Sequence, residues 1–435
     1  MASKNFKRRL LSIEQIPVFL YLVKWLWLCA LIGALAGSAS AIFLILLNWV
    51  TTWRESHLWI IALLPVGGLL IGLAYHYWGE SVVKGNNLLL EEFHSPKAVI
   101  PLRMAPLVLF GTLATHFFGG SAGREGTAVQ MGAAISDQFT KYFNLPARDR
   151  KILLIAGISA GFASVFGTPL AGAVFALEVF TIGRVRYDAI LPSFLAAFFA
   201  DYITRFWPVT HTHYVIPVVP ELTLDKLLWI LLTGIFFGLA ALLFSRMAHF
   251  FASFAKNKIS YPPLRPVIGG VVIALVVWCL GTTKYIGLGV PTIVAAFNHS
   301  LPPYDFMLKL LLTTFTLGMG FKGGEVTPLF FVGATLGNTL SFFVPLPLAL
   351  LAGMGFVSVF AGATNTPIAC TLMGIELFGN ASGLFIGLAC VVAYLFSGHT
   401  SIYSSQLIGS PKHLLYSRHK QKKLDELNSK KLQKT

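Results

Sequence analysis

Seven apolar stretches recur along this chain, at about 22–48, 57–78, 100–118, 225–252, 264–281, 305–320 and 380–397. Each is near the roughly 20 residues that an α-helix needs to cross a bilayer. A backbone in hydrocarbon must satisfy its own amides, which leaves helices or a closed barrel. Stretches of this length select helices. With 55% hydrophobic and 12% charged residues over 435 positions, the chain has no segment with the composition of a separate water-soluble enzyme domain. The expected fold class is an all-α polytopic membrane protein.

Charge sets the expected orientation. Lys4, Lys7, Arg8 and Arg9 open the chain and eight basic residues lie between Lys412 and Lys434, together twelve of its thirty-three lysines and arginines. Both termini are therefore expected to be cytoplasmic, in the inner membrane of a prokaryotic cell. The N-terminal run is not followed by a cleavage-site pattern and is expected to be retained. The net charge of +15 sits in tails and short loops rather than on one basic face interleaved with aromatic residues, so no nucleic-acid partner is expected. Cys29, Cys279, Cys370 and Cys390 all lie in apolar stretches without pair spacing, which speaks against a disulfide framework or a zinc site. His211-x-His213 reads as a solvated loop rather than a metal site. No cofactor is expected.

A repeat with a period of about 200 residues organises the rest. Gly123-Arg124-Glu125-Gly126-Thr127 in the first half is matched by Gly323-Gly324-Glu325-Val326-Thr327-Pro328 in the second. Thr168-Pro169 followed by Glu178 is matched by Thr366-Pro367 followed by Glu376. The expected organisation is a basic segment 1–21, a first repeat 22–206, a loop linker 207–224, a second repeat 225–405 and a basic tail 406–435. From Lys412 the tail has no apolar pattern and is expected to lie on the anionic inner leaflet or to be disordered rather than to fold alone. Glycines and prolines interrupt many apolar runs, so the two repeats should be inverted relative to each other and built from tilted, broken helices that meet at a shared midplane site.

Several residues could carry chemistry. Gly119-Gly120-Ser121-Ala122-Gly123 satisfies a hydrolase elbow pattern, but that motif needs a preceding strand and here follows an apolar stretch. Glu125 stands at a helix start at membrane depth, where a carboxylate carries a desolvation cost. It reads either as a helix cap or as a movable anionic gate, since successive N–H groups at helix starts bind anions. As a gate it would occupy the anion's place when ionised and leave when protonated, coupling an anion to a proton. Glu325 has the same setting in the second repeat. Glu178 and Glu376 read as structural hydrogen-bonding groups.

From about residue 25 to 405 the chain resembles the CLC family of chloride channels and chloride/proton exchangers. Gly123 to Thr127 is similar to the family's gating-glutamate segment, with Thr127 where chloride-type members carry Pro. Gly323 to Pro328 is similar to the second-half anion loop, with Glu325-Val326-Thr327 replacing an apolar Ile-Phe-Ala. Gly85-Asn86-Asn87-Leu88 stands where the family has Gly-Ser-Gly-Ile-Pro, and Tyr403 matches its central tyrosine. Thr127 and the Glu-x-Thr-Pro loop resemble the fluoride/proton antiporter branch. Val179 stands where chloride/proton exchangers carry their internal proton glutamate. Asn86 departs from both branches, being neither the chloride-type Ser nor the Met or Thr of the fluoride branch.

The resemblance implies secondary active transport rather than catalysis. Fluoride and protons would be the transported species, with chloride the alternative, in a homodimer with one pathway per subunit. Glu125 and Glu325 would handle the gate and the proton, while Asn86, Gly126, Val326, Thr327 and Tyr403 would bind the anion. Thr127 would be associated with selectivity.

Overall fold

The computed structural model describes residues 15–427; the basic residues Lys4 to Arg9 and the end of the tail lie outside them. Sixteen α-helices are described, eight on each side of the stretch 205–223. The first eight are α1 Gln15–Ser56, α2 Leu64–Trp78, α3 Asn86–His94, α4 Met104–Phe117, α5 Glu125–Tyr142, α6 Ala147–Phe166, α7 Pro169–Glu178 and α8 Ile190–Thr204. The second eight follow the same order: α9 Leu224–Lys258, α10 Leu264–Leu280, α11 Val290–Asn298, α12 Asp305–Gly318, α13 Val326–Leu340, α14 Leu348–Thr364, α15 Pro367–Phe378 and α16 Gly383–Phe396.

The inversion of the repeats is visible in one reciprocal contact. Glu178, the last residue of α7, accepts hydrogen bonds from Ile368 N (3.3 Å) and Ala369 N (3.0 Å) at the start of α15. Glu376, near the end of α15, accepts from Leu170 N (3.0 Å) and Ala171 N (2.8 Å) at the start of α7. Each helix thus caps the other's orphan amides, which requires the two to run antiparallel. This is the structural role the sequence suggested for both carboxylates.

Among the described residues three helical segments are apolar and long enough to cross a membrane: Gln15–Ser56, Leu58–Trp78, which opens with a 3₁₀ turn, and Leu224–Lys258. Four expected spans come out shorter. α4, α12 and α16 have 14 residues each and α10 has 17, or about 21–26 Å of helix against a hydrocarbon core of about 30 Å. α4 and α12 end inside protein, where the loops 118–124 and 319–325 find partners. α6 and α14 are the core of their repeats: nearly every residue from Ile152 to Val165 and from Ala349 to Thr364 is buried. Close backbone approach makes this possible, with Gly132 of α5 on Gly157 of α6 and Gly333 of α13 on Gly355 of α14. Gly33 and Gly37 of α1 pack against Phe199 and Ala200 of α8.

Matching positions also tie down the C-terminal ends of α5 and α13. Asp137 of α5 accepts Ile100 N (2.8 Å) and is paired with the buried Arg150, which also reaches Glu92 (3.1 Å). At the equivalent place on α13 a neutral Asn338 accepts Leu301 N (2.9 Å).

The start of the tail departs from expectation. Leu407–Ile408 (β2) pairs in parallel with Thr181–Ile182 (β1), and Ile408 and Leu424 are buried together with Ile182. Lys412 inserts its ammonium against the Tyr394 carbonyl (2.6 Å) and ring and the Ser397 hydroxyl (2.9 Å). Docking on the helical body supplies the apolar contacts and carbonyl ligands that the tail lacks by itself. Tyr21 of α1 donates to the Asp188 carbonyl, a few residues after β1, so both described ends lie on one face of the molecule.

Candidate functional site

The two polar loops singled out by the repeat meet at the centre of the molecule. Gly123 and Gly324 form an antiparallel bridge, with Gly123 N donating to Gly324 O (2.6 Å) and Gly324 N to Gly123 O (2.8 Å). Glycine is required there: a Cβ on Gly324 would stand 2.7 Å from Gly126 N and 3.1 Å from Glu125 N. The bridge delivers the N-termini of α5 and α13 to one place, each with its first amides unpaired within the helix.

Glu125, fully buried, fills that place. Its Oε2 accepts from Thr327 N (3.0 Å) and Arg124 N (3.2 Å), and its Oε1 accepts a short hydrogen bond from Thr327 Oγ1. Arg124 Nε lies 3.4 Å from Oε1. A carboxylate of the first repeat is therefore held by the helix start of the second, on donors that would equally serve a small anion.

A cavity of about 150 Å³ opens on one side of this seal, lined among others by Asn86, Gln130, Lys322, Glu325 and Tyr403. The Asn86 amide borders Gly126, where an added Cβ would meet Asn86 Nδ2 at 3.1 Å and Glu325 Oε2 at 3.7 Å. Asn86 Oδ1 is buried and has no hydrogen-bond partner among the described residues. The segment carrying Tyr403 is pinned beside Asn86 by Ser405 N donating to Asn87 Oδ1 (3.0 Å) and Gln406 Nε2 donating to the Val179 and Thr364 carbonyls (2.7 Å each). On the other side of the seal lies a smaller cavity of about 20 Å³, lined by Arg124, Glu125, His211, Tyr214 and Thr327, among others.

Of the residues expected from sequence, Glu125, Gly126, Val326 and Thr327 gather at the joined helix starts, and Asn86, Glu325 and Tyr403 line the larger cavity. Thr127 stands apart from both cavities: its hydroxyl is buried against that of Thr112 (2.6 Å). Ser121 has no nucleophile geometry, since its Oγ donates to the Tyr285 carbonyl (2.8 Å) and lies 2.8 Å from Thr313 Oγ1. Gln130 and Lys322 were not foreseen. Gln130 follows Gly126 by four positions on α5, so the helical period alone puts both on one face; Lys322 carried no such signal. His211 borders the smaller cavity, where the sequence suggested only a solvated loop. Among the described residues no cluster of His, Cys, Asp and Glu has metal-binding geometry.

Residues 67–398 match the family described as "Voltage gated chloride channel". The chain is 53% identical over 406 residues to the "Chloride/fluoride channel protein" of Pseudomonas syringae pv. tomato, covering 92% of this chain and 90% of that one. It is 28% identical over 423 residues to the "H(+)/Cl(-) exchange transporter ClcA" of Vibrio vulnificus, covering 88% and 89%. Among solved structures it resembles a CLC-type fluoride/proton antiporter, with a TM-score of 0.86 and 37% identity over 88% of this chain and 98% of that one. A slow cyanobacterial Cl⁻/H⁺ antiporter shares the fold, with a TM-score of 0.76 at 20% identity over 87% of this chain and 96% of that one. The paired repeats, the carboxylate seal and these likenesses agree, and the chain belongs to the CLC family of membrane anion-transport proteins.

Proposed function

We propose that this protein exports fluoride in exchange for protons, with Glu125 as the moving gate. The observation that carries the reading is the Glu125 carboxylate lying on Thr327 N and Thr327 Oγ1, the donors a fluoride ion would need. Fluoride is small and tightly hydrated, so its site must replace water with short-range donors. Protonation weakens the carboxylate's hold on these donors and frees the seal; fluoride then takes its place, and the proton travels with the side chain. Glu325, on the cavity side of Gly126, is positioned to receive that proton. No acid at Val179 is needed on this route. Asn86, Gly126, Val326 and Tyr403 complete the anion path.

The likeness to relatives named for fluoride supports this substrate; the likeness to chloride/proton exchangers supports chloride as the alternative. The basic tail and the shared face of the two ends support cytoplasmic termini in an inner membrane, and the family likeness supports a homodimer with one pathway per subunit. For an exchange of one anion per proton two charges move, and at roughly 2.3 kcal/mol per charge per 100 mV the potential supplies about 4.6 kcal/mol. That sustains a gradient of more than about a thousandfold. The test is reconstitution into vesicles: Glu125→Gln is expected to stop proton transport, and undiminished proton movement would rule out the gate.

A further inference from the structure

The proton that reaches Glu125 from the side away from Tyr403 has to cross the smaller cavity. At about 20 Å³ that space holds about one water, too few for an open aqueous path. The residues around it with ionisable side chains are Arg124, Glu125, His211 and Tyr214. Arginine stays charged and tyrosine titrates near 10, whereas histidine exchanges a proton in the physiological range. His211 is half-buried and the neighbouring His213 is exposed, so the His211 ring stands between the cavity and the solution.

We propose that His211, on the stretch that joins the two repeats, relays protons between the solution and Glu125. The ring is held for this role by a notch at the end of α6. Gly167, the αL C-cap residue with φ +70°, leaves space that a Cβ would fill, 2.7 Å from His211 Cδ2. The charged and titratable groups around the ring are Arg124, Arg205 and His213, with Glu125 across the cavity. Burial first, then the Arg124 and Arg205 guanidinium groups, push the imidazole down to about 4. The resting ring is therefore neutral and holds a transferred proton only in passing. One ring nitrogen accepts the proton as the other releases one to the water beside Glu125; the ring stays neutral but ends in its other tautomer, and a flip of the ring resets it for the next proton. The linker between the repeats is on this account part of the proton path.

The relay rests on the proton-coupled reading above, and its test separates the two. Full-length protein in vesicles is assayed for fluoride and proton flux as wild type, His211→Ala and His211→Gln. Both variants are expected to turn over about a hundred- to ten-thousandfold more slowly, the range for loss of a proton-transfer group, with the fluoride-to-proton ratio unchanged. Imidazole in the bath is expected to restore His211→Ala, which has room for it, and not His211→Gln. Wild-type rates in both variants would overturn the relay. So would a slow, monodisperse His211→Ala protein that imidazole does not rescue, because His211 would then serve only packing. Absence of proton movement in the wild type would instead overturn the parent reading.

Discussion

At the residue scale the account turns on Thr327, which gives both its N–H and its hydroxyl to the Glu125 carboxylate. A hydrogen bond to a charged group is worth about 1.5–3 kcal/mol. Thr327→Val keeps the shape and the N–H but loses the hydroxyl, and is expected to weaken fluoride binding about ten- to a hundredfold, read as a raised half-saturating fluoride concentration in flux assays. Gly324→Ala acts on the same place through backbone. Its methyl would press on Gly126 N and Glu125 N, and transport is expected to fall to background while the protein still inserts, as checked by size-exclusion of the detergent-solubilised form. Spacing made Glu125 and Thr327 legible, because the two loops keep the same Glu-x-Thr register. Thr127 keeps that register too, yet its hydroxyl turns to Thr112. Sequence spacing gave its position and not its rotamer or partner.

At the element scale the helix ends do the organising. The Glu178 and Glu376 caps join α7 to α15 across the repeat axis. Removing either carboxylate with Ala leaves two helix-start amides unpaired. Each change should lower thermal stability in detergent by a similar amount, about 1–2 kcal/mol, without altering the fluoride-to-chloride flux ratio; a changed ratio would mean these helices shape the anion path. Arg150 is a sharper case, a buried guanidinium between Asp137 and Glu92. Arg150→Ala strands those carboxylates and is expected to cost about 3–5 kcal/mol, read as a large drop in melting temperature. The lipid-facing helices α1, α2 and α9 were legible as long apolar runs. α6 and α14 were not, because helices buried on every side use Gly, Ala and Ser for close approach and carry no lipid-length signature.

At the scale of the whole molecule, two inverted units put a helix start from each on a common point and leave a single buried carboxylate as the barrier between a larger and a smaller cavity. That arrangement was legible as a duplication with broken helices. The placements of the linker and the docked tail were not, since both are fixed by long-range contacts such as His211 on Gly167 and Leu407 on Thr181. Release of the gate by protonation also predicts that fluoride export speeds up as the external solution is acidified. The central claim is tested most directly by loading vesicles containing the wild-type protein with fluoride or chloride and following anion efflux and external pH together. Fluoride efflux should exceed chloride efflux and should draw protons inward even against a pH gradient. Chloride efflux as fast as fluoride efflux, or fluoride efflux with no proton uptake, would contradict the account.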